Sequence, residues 1–461
     1  MKSISNYKTF KSSLKNKKVL VWGLGVSGGG VNVAKFFSKH NAKVRVIDTK
    51  TEAELSDSVK QLKSSKNIEL SLGSQKSEDF LWADLIIKNP AIPPNSEWVR
   101  FIAEKKLKVE MELNLFLKYF PGKVIGITGT RGKSTTTALI YKTLRSANKN
   151  VFTGGNNKLP LLNHLDKATK NQIAVIEMSS FQLSSVTQSP DIAVITNIYP
   201  DHLNWHPNMA DYISAKQNII RFQNKTKNKI LNANDKIIKK QFVSVGKGQL
   251  ISVGERSQIH IKNHSIYLGK TKYLAESELK IKGDHNLQNL SLAIATLKLL
   301  KIKDEQIRGV AKSFETLEFR QQVIKKHKGI IFVNDSCSTM PEGLIAALDR
   351  FRREAKRIYL IAGGVNKNLN LKLAAKRIDS DVAETYFLDG SFYNSITQLL
   401  ENKSKIIGPF TSLSEIVKKI RHKLSKGDYV LFSPGAASFN LFQNEWDRGQ
   451  KFNNAVKMFC K

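Results

Sequence analysis

The stretch GITGTRGKSTTTALI, beginning at Gly126, constrains this chain more than any other. Lys123-Val124-Ile125-Gly126-Ile127-Thr128 reads as a buried strand, and the run from Lys133 onward as a helix that opens with Ser134 and Thr135. Between them, Gly129, Thr130, Arg131 and Gly132 form a loop whose backbone N–H groups, with the helix N-terminus, face an anion. Lys133 is placed to reach the terminal phosphates of a nucleotide, and the Ser134 hydroxyl to hold Mg²⁺. The strict phosphate-loop pattern has glycine where this chain has Ile127, so the loop is a shortened variant. Strand, loop and helix still follow in the order an α/β nucleotide site requires.

A related unit comes about a hundred residues earlier, in VLVWGLGVSGGG, residues 19–30. A strand runs into Gly23, Gly25, Val26, Ser27 and Gly28, and Asp48 stands twenty residues beyond Gly28 at the end of a second strand, Val44–Ile47. Alone, this is the dinucleotide fingerprint with its ribose-binding acid, and it suggests a nicotinamide oxidoreductase. A dehydrogenase needs one cofactor site, however, whereas this chain gives a second α/β domain to ATP. The first loop is then available to a different diphosphate.

With 461 residues the chain exceeds one ordinary core, and its alternating strands and helices predict three α/β domains. The boundaries are set at 1–112, Rossmann-like; 113–317, a central phosphate-loop ATPase domain; and 318–461, again Rossmann-like. In the first, helices are expected over VNVAKFFSKH and AELSDSVKQLKSS. Apolar content of 41% with no run of eighteen uncharged apolar residues predicts no membrane span. The basic N-terminus lacks a continuous apolar signal region, and only Cys337 and Cys460 occur, so a reducing cytoplasm is expected. The formal charge of +35 raises a nucleic-acid-dependent ATPase as a rival. Its lysines are spread along the whole chain instead of forming one stripe, so no nucleic-acid partner is expected.

Downstream, strands end at Glu177 and Asn197. Glu177 is a hard oxygen ligand suited to Mg²⁺ beside phosphates, and His202 is a candidate ligand or phosphate contact. His202 and His206 have a superficially zinc-like spacing, but no Glu follows His202 and Pro207 breaks a helix. Asp201 has a plain alternative role as a helix N-cap. In the last third, strands end at Asn334-Asp335, Gly363-Gly364 and Ser433-Pro434-Gly435, where ligands of open α/β sheets bind.

Six ordered motifs give a more specific signal. They are Thr128-Gly129-Thr130-x-Gly132-Lys133-Ser134, Glu177-x-Ser179-Ser180-Phe181-Gln182, Thr196-Asn197-x-x-x-Asp201-His202-Leu203, Tyr212-x-x-Ala215-Lys216, Gly283-x-His285-Asn286-x-x-Asn289 and Asn334-Asp335-Ser336. Together they resemble the Mur ligases, and in order and spacing the MurD type, which joins glutamate to UDP-N-acetylmuramoyl-L-alanine in peptidoglycan synthesis.

The resemblance implies a ligase that uses ATP to activate a carboxylate as an acyl phosphate, which the amine of an incoming amino acid then attacks. It implies that Gly25, Val26, Ser27, Asp48, Thr49, Asn89 and Asn156 hold the UDP substrate. Gly129 to Thr135, Asn286 and Asn289, with Arg320 and Asp335 of the last domain, then hold ATP. Lys133, Glu177, His202 and Lys216 take catalytic roles. Two Mg²⁺ sites use Ser134, Glu177, His202 and Lys216, the lysine as its carbamate. Lys367 and Ser438 match acceptor contacts, and a monomer is expected.

The chain departs from the pattern at Cys337, where a lysine for the acceptor carboxylate is usual; at Glu445, where an aromatic is usual; and at Arg131, where Asn is common. Cys337 reads either as a reactive thiol or as a buried, inert one. These changes keep an L-glutamate-adding variant open beside the D-glutamate default. A folylpolyglutamate-type ligase is more remote, since such enzymes begin close to the ATP loop.

Overall fold

Three sheets organise the chain, and each places its glycine-rich or acidic strand ends together. The computed structural model describes residues 4–26, 28–65, 67–155, 160–203, 205–367 and 369–460. They divide into two compact units, Met1–Ala275 with Leu287–Lys312, and Glu276–Asn286 with Ser313–Lys461.

The first unit holds two sheets. The N-terminal one is wholly parallel, ordered Ile68–Leu72, Lys43–Asp48, Lys18–Trp22, Leu85–Lys88, Val109–Glu110. Its near-continuous apolar strands are explained by burial on both faces: Val19 and Val21 pack towards the helix Gly29–Lys39, and Leu20 and Trp22 towards Phe80 and Ile102. The order reverses between Lys18–Trp22 and Leu85–Lys88, which is where the glycine loop and Asn89 emerge. The helix expected over 53–65 is only Ser56–Lys60, with turns on either side. Leu55, Val59 and Leu62 are its whole apolar stripe, too little to hold a longer amphipathic helix.

The second sheet has nine strands, with Lys123–Thr128 between Ile192–Ile195 and Ile173–Glu177. It is parallel through Gln249–Val253 and Ile259–Lys262, then turns antiparallel through Ser265–Leu268 and Thr271–Ala275, the β-rich interval anticipated from sequence. Side-chain hydrogen bonds tie it to the residues around the N-terminal sheet. Asp166 accepts from Tyr7 Oη at 2.9 Å and Lys39 Nζ at 2.6 Å, and Trp205 Nε1 donates to the Ala91 carbonyl at 3.0 Å.

The second unit carries a six-stranded sheet ordered Gln322–His327, Ile330–Asn334, Tyr429–Phe432, Ile358–Gly363, Glu384–Leu388, Ile406–Phe410, parallel except for its first pair. Helices cover both faces, giving two apolar clusters, one around Leu344, Leu360 and Leu431 and one around Ile361, Phe432 and Phe452. Among the described residues no helix is long and apolar enough to cross a membrane.

Candidate active site

The loop at 128–134 leaves an interior strand of the nine-stranded sheet, third from its Val151–Gly155 edge, and is clamped by the strand beside it. Thr130 N donates to the Asn197 carbonyl at 2.8 Å, Arg131 N to Asn197 Oδ1 at 2.8 Å, and Asn197 Nδ2 back to the Arg131 carbonyl at 3.1 Å. Thr130 Oγ1 lies 2.9 Å from Tyr212 Oη and accepts from Tyr199 N at 2.9 Å. Asn197, Tyr199 and Tyr212 were invisible as loop supports, because their partners are distant in sequence. The helix Lys133–Ser146 begins with Gly132 as its N-cap and carries Ser134 and Thr135 in its first turn. Gly132 brings no side chain of its own to cap the helix, which suits a site that takes an external anion. Asn289, buried on the helix Asp284–Leu299, packs so close to Gly132 that a Cβ there would collide with its Oδ1. Asn286, three residues earlier, is also buried and donates to the Lys282 carbonyl at 2.8 Å.

Two lysines converge beneath the loop. Lys133 Nζ donates to the Gly129 and Thr130 carbonyls, each at 3.0 Å, and Lys216 Nζ to the Gly129 carbonyl at 3.0 Å. Lys216 is 2 % exposed, and its ammonium stands 4.7 Å from the Tyr212 ring centre. Burial, reinforced by the charge of Lys133 and opposed by Asp201 and Glu177, holds its pKa well below the ordinary lysine value. Its amine is therefore deprotonated more readily than an ordinary lysine's, and the neutral form is the one that can react as a nucleophile.

Glu177 and Asp201 are both buried close to these lysines. Asp201 is not an N-cap: it accepts from His202 N at 2.9 Å, and Asn208 caps the following helix, Met209–Arg221. His202 sits in the left-handed region, φ 57°, with Nε2 3.3 Å from Asp201 Oδ2 and its ring edge-on to Phe181. The other histidine of the pair does different work. His206 is fully buried, Nδ1 lying 2.6 Å from Asp211 Oδ2 and Nε2 2.9 Å from Ser180 Oγ. This fixes the turn after Glu177 to the helix that carries Lys216. Among the described residues no three His, Cys, Asp or Glu side chains gather as a metal cage. A carboxylate, a helix-terminal hydroxyl and room for phosphate oxygens are nevertheless what Mg²⁺ uses in nucleotide sites, so the donor set fits it.

In the same unit, a cavity of about 860 Å³ opens over the first glycine loop and reaches Glu112, Gly155 and Gln182 beside the larger sheet. Gly25, Val26, Asp48, Thr49 and Asn89 are among the residues that line it. Ser27 and Asn156 lie outside the described residues. Asp48 holds the loop in place: Oδ2 accepts from Gly25 N and Oδ1 from Lys50 N, each at 3.0 Å. Asn89 Nδ2 donates to the Gly23 carbonyl at 3.1 Å, so acid and amide brace the loop from opposite sides. Sequence reasoning missed Glu112, whose Oε1 accepts from Leu161 N at 2.9 Å and whose pKa burial raises against those backbone bonds.

In the second unit the strand ends at 334–336, 363–364 and 433–438 meet. Asp335 accepts from Ser433 Oγ at 2.7 Å and from Gln321 N at 3.0 Å. Arg320, half-buried, acts electrostatically on Cys337 beside it. Cys337 is buried and burial pushes its thiol pKa up, which supports the inert reading. Arg448, also missed, is completely buried and donates to Ser336 Oγ, the Ser336 carbonyl and the Ala436 carbonyl, its pKa drawn down by burial to about 10. The bridge between Val365 and Ala437 sets the loop bearing Lys367 beside the loop bearing Ser438, whose buried Oγ has no hydrogen-bond partner among the described residues.

Comparison with known proteins agrees with this arrangement. Residues 17–110 match the family model for the MurD-like N-terminal domain of Mur ligases, and residues 127–297 the Mur ligase middle domain. The UDP-N-acetylmuramoylalanine–D-glutamate ligase of Roseiflexus sp. (strain RS-1) is 33% identical, over 97% of this chain and 99% of the relative. In fold, the chain is similar to UDP-N-acetylmuramate-alanine ligase MurC of Thermotoga maritima, with a TM-score of 0.64 and 20% identity over 96% of this chain and 99% of the other. It is also similar to MurF ligase of Thermotoga maritima in complex with ADP, with a TM-score of 0.59 and 17% identity over 90% and 95% of the two chains. The chain belongs to the Mur ligase family, ATP-dependent ligases that form amide bonds.

Proposed function

We propose that this protein joins glutamate, D-glutamate by default, to UDP-N-acetylmuramoyl-L-alanine in peptidoglycan synthesis, acting as a cytoplasmic monomer with one domain for each of UDP substrate, ATP and acceptor. The observation that carries the reading is the coexistence, in one unit, of a lysine-bearing phosphate loop and a separate 860 Å³ cavity over a second glycine loop. One ATP and one nucleotide-linked substrate each have a place, and the relatives' names agree with that pairing.

In this reading Lys133 leaves the Gly129 and Thr130 carbonyls to meet the terminal phosphates, while Ser134 and Glu177 hold Mg²⁺ between them. Mg²⁺ supplies charge neutralisation between polyanions that would otherwise repel. Asn286 and Asn289 take the adenine, and Arg320 and Asp335 also serve ATP. Lys216, its pKa lowered by burial, is suited to carbamylation and so to a carboxylate role in a second metal site near His202. Neighbouring charge at Lys133 stabilises the acyl phosphate as it forms. Lys367 and Ser438 hold the acceptor, and no nucleic acid takes part.

The L-glutamate reading rests on Cys337 and Glu445. A buried neutral thiol cannot pair with a carboxylate, so the acceptor's side chain is gripped differently from the usual lysine arrangement. The deciding assay is phosphate release from ATP and Mg²⁺ with UDP-N-acetylmuramoyl-L-alanine and either D- or L-glutamate. Release with one isomer, accompanied by a UDP-linked dipeptide, sustains the ligase and identifies the acceptor. No release with either, from protein that binds ATP, would refute the assignment.

A further inference from the structure

Lys88 ends the strand Leu85–Lys88 and is 7 % exposed, yet it has no ion-pair partner among the described residues. Among the described residues its side chain makes one hydrogen bond, a long one of 3.4 Å to the Ile92 carbonyl. It shares its strand face with Ile86, among the apolar residues that include Leu20, Trp22 and Ile102. Burial alone lowers its pKa, with no neighbouring charge contributing. A lone cation in such a place is costly and is kept only where it has a use.

The use is indicated by where Lys88 lies. It lines the cavity over the first glycine loop. The loop itself, Gly23 to Gly30, contains no basic residue. Of the acids lining the cavity, Asp48 is taken by Gly25 N and Lys50 N, Glu112 by Leu161 N and Leu162 N, and Glu97 is exposed. None neutralises Lys88. Backbone N–H groups can orient a diphosphate, but they bring no full charge to balance it.

We infer that Lys88 is the buried counter-charge for the diphosphate of the nucleotide-linked substrate, a contact that rests on the cavity being the nucleotide pocket. The ammonium leaves the weak Ile92 contact when the anion enters. The base, by contrast, gains nothing from it.

The test uses the full chain and two probes, UDP and uridine. Lys88→Met and Lys88→Gln are expected to lose UDP affinity by about 10- to 100-fold, the scale of a hydrogen bond to a charged group, with uridine affinity unchanged. Lys88→Met should melt no lower than wild type, since it removes a stranded charge; if it fails to fold, Lys88→Gln, which can still bond Ile92, decides. Equal loss of UDP and uridine, or no loss of either, overturns the role of Lys88. Wild-type protein that binds no UDP refutes instead the nucleotide-pocket reading on which it rests.

Discussion

Gly28 and Gly132 have the same backbone conformation, φ 82° and ψ −9°, and each stands immediately before a helix, Gly29–Lys39 in one case and Lys133–Ser146 in the other. Both helices begin without a side-chain cap. The surroundings then diverge. The loop ending at Gly132 is pinned by Asn197 and Asn289 and has two lysines at the Gly129 carbonyl. The loop ending at Gly28 is braced by Asp48 and Asn89 and opens on a large, mainly uncharged cavity. The same local device, a left-handed glycine before an uncapped helix, recurs in both places with different side chains around it. A glycine fingerprint is thus evidence of anion binding and says little about the cofactor.

The largest effect should come from Lys133→Ala. Phosphate release at saturating substrates is expected to fall by about 10³-fold, while UDP binding measured by titration stays unchanged. A parallel loss of UDP affinity would mean that the two loops do not work on separate ligands.

Next is a matched pair of glycine substitutions. Either alanine pays the left-handed strain of about 1–2 kcal/mol. A Cβ at Gly28 meets only Asn32 Nδ2, at 3.9 Å, whereas one at Gly132 collides with Asn289. Gly132→Ala should therefore destabilise more in urea unfolding and weaken ATP, and Gly28→Ala should weaken UDP alone. Equal costs would show that Asn289 yields.

Asp48→Ala removes the acceptor of two loop N–H groups, a change of about 1–3 kcal/mol. It should raise the KM for the UDP substrate about tenfold, leaving the KM for ATP and kcat alone. A Michaelis constant that rises for ATP as well would count against the division.

The smallest effect concerns the tie between the two sheets. Burial opposes ionisation of Asp166, but hydrogen bonds from Lys39 and Tyr7 prevail and hold its carboxyl below the ordinary range. Its stabilising contribution is therefore complete above the unfolded-state pKa of about 4 and is lost as pH falls through the lower folded value. Asp166→Asn should cost about 1 kcal/mol near neutral pH and flatten the acid limb of a pH–stability curve. An unchanged acid limb would remove Asp166 from the account.

Much of this was legible because periodicity and glycine spacing are local. The strands Lys123–Thr128 and Ile173–Glu177 fall where their apolar runs placed them. Gly25, Val26, Asp48, Thr49 and Asn89, named through the family resemblance, line one cavity. What escaped depends on contacts between distant segments. Tyr212 braces Thr130 across 82 residues, Arg448 reaches Ser336 across 112, and nothing near Lys88 announces that its charge is buried. His206 shows the converse: a spacing that looks metal-like belongs to a buried bond network with Ser180 and Asp211.

The most direct test of two loops with two ligands is to titrate UDP into protein already saturated with ADP and Mg²⁺. One UDP per chain is expected to bind, with an affinity the bound ADP does not abolish. Displacement of one nucleotide by the other would contradict it, because a single site would then be serving both.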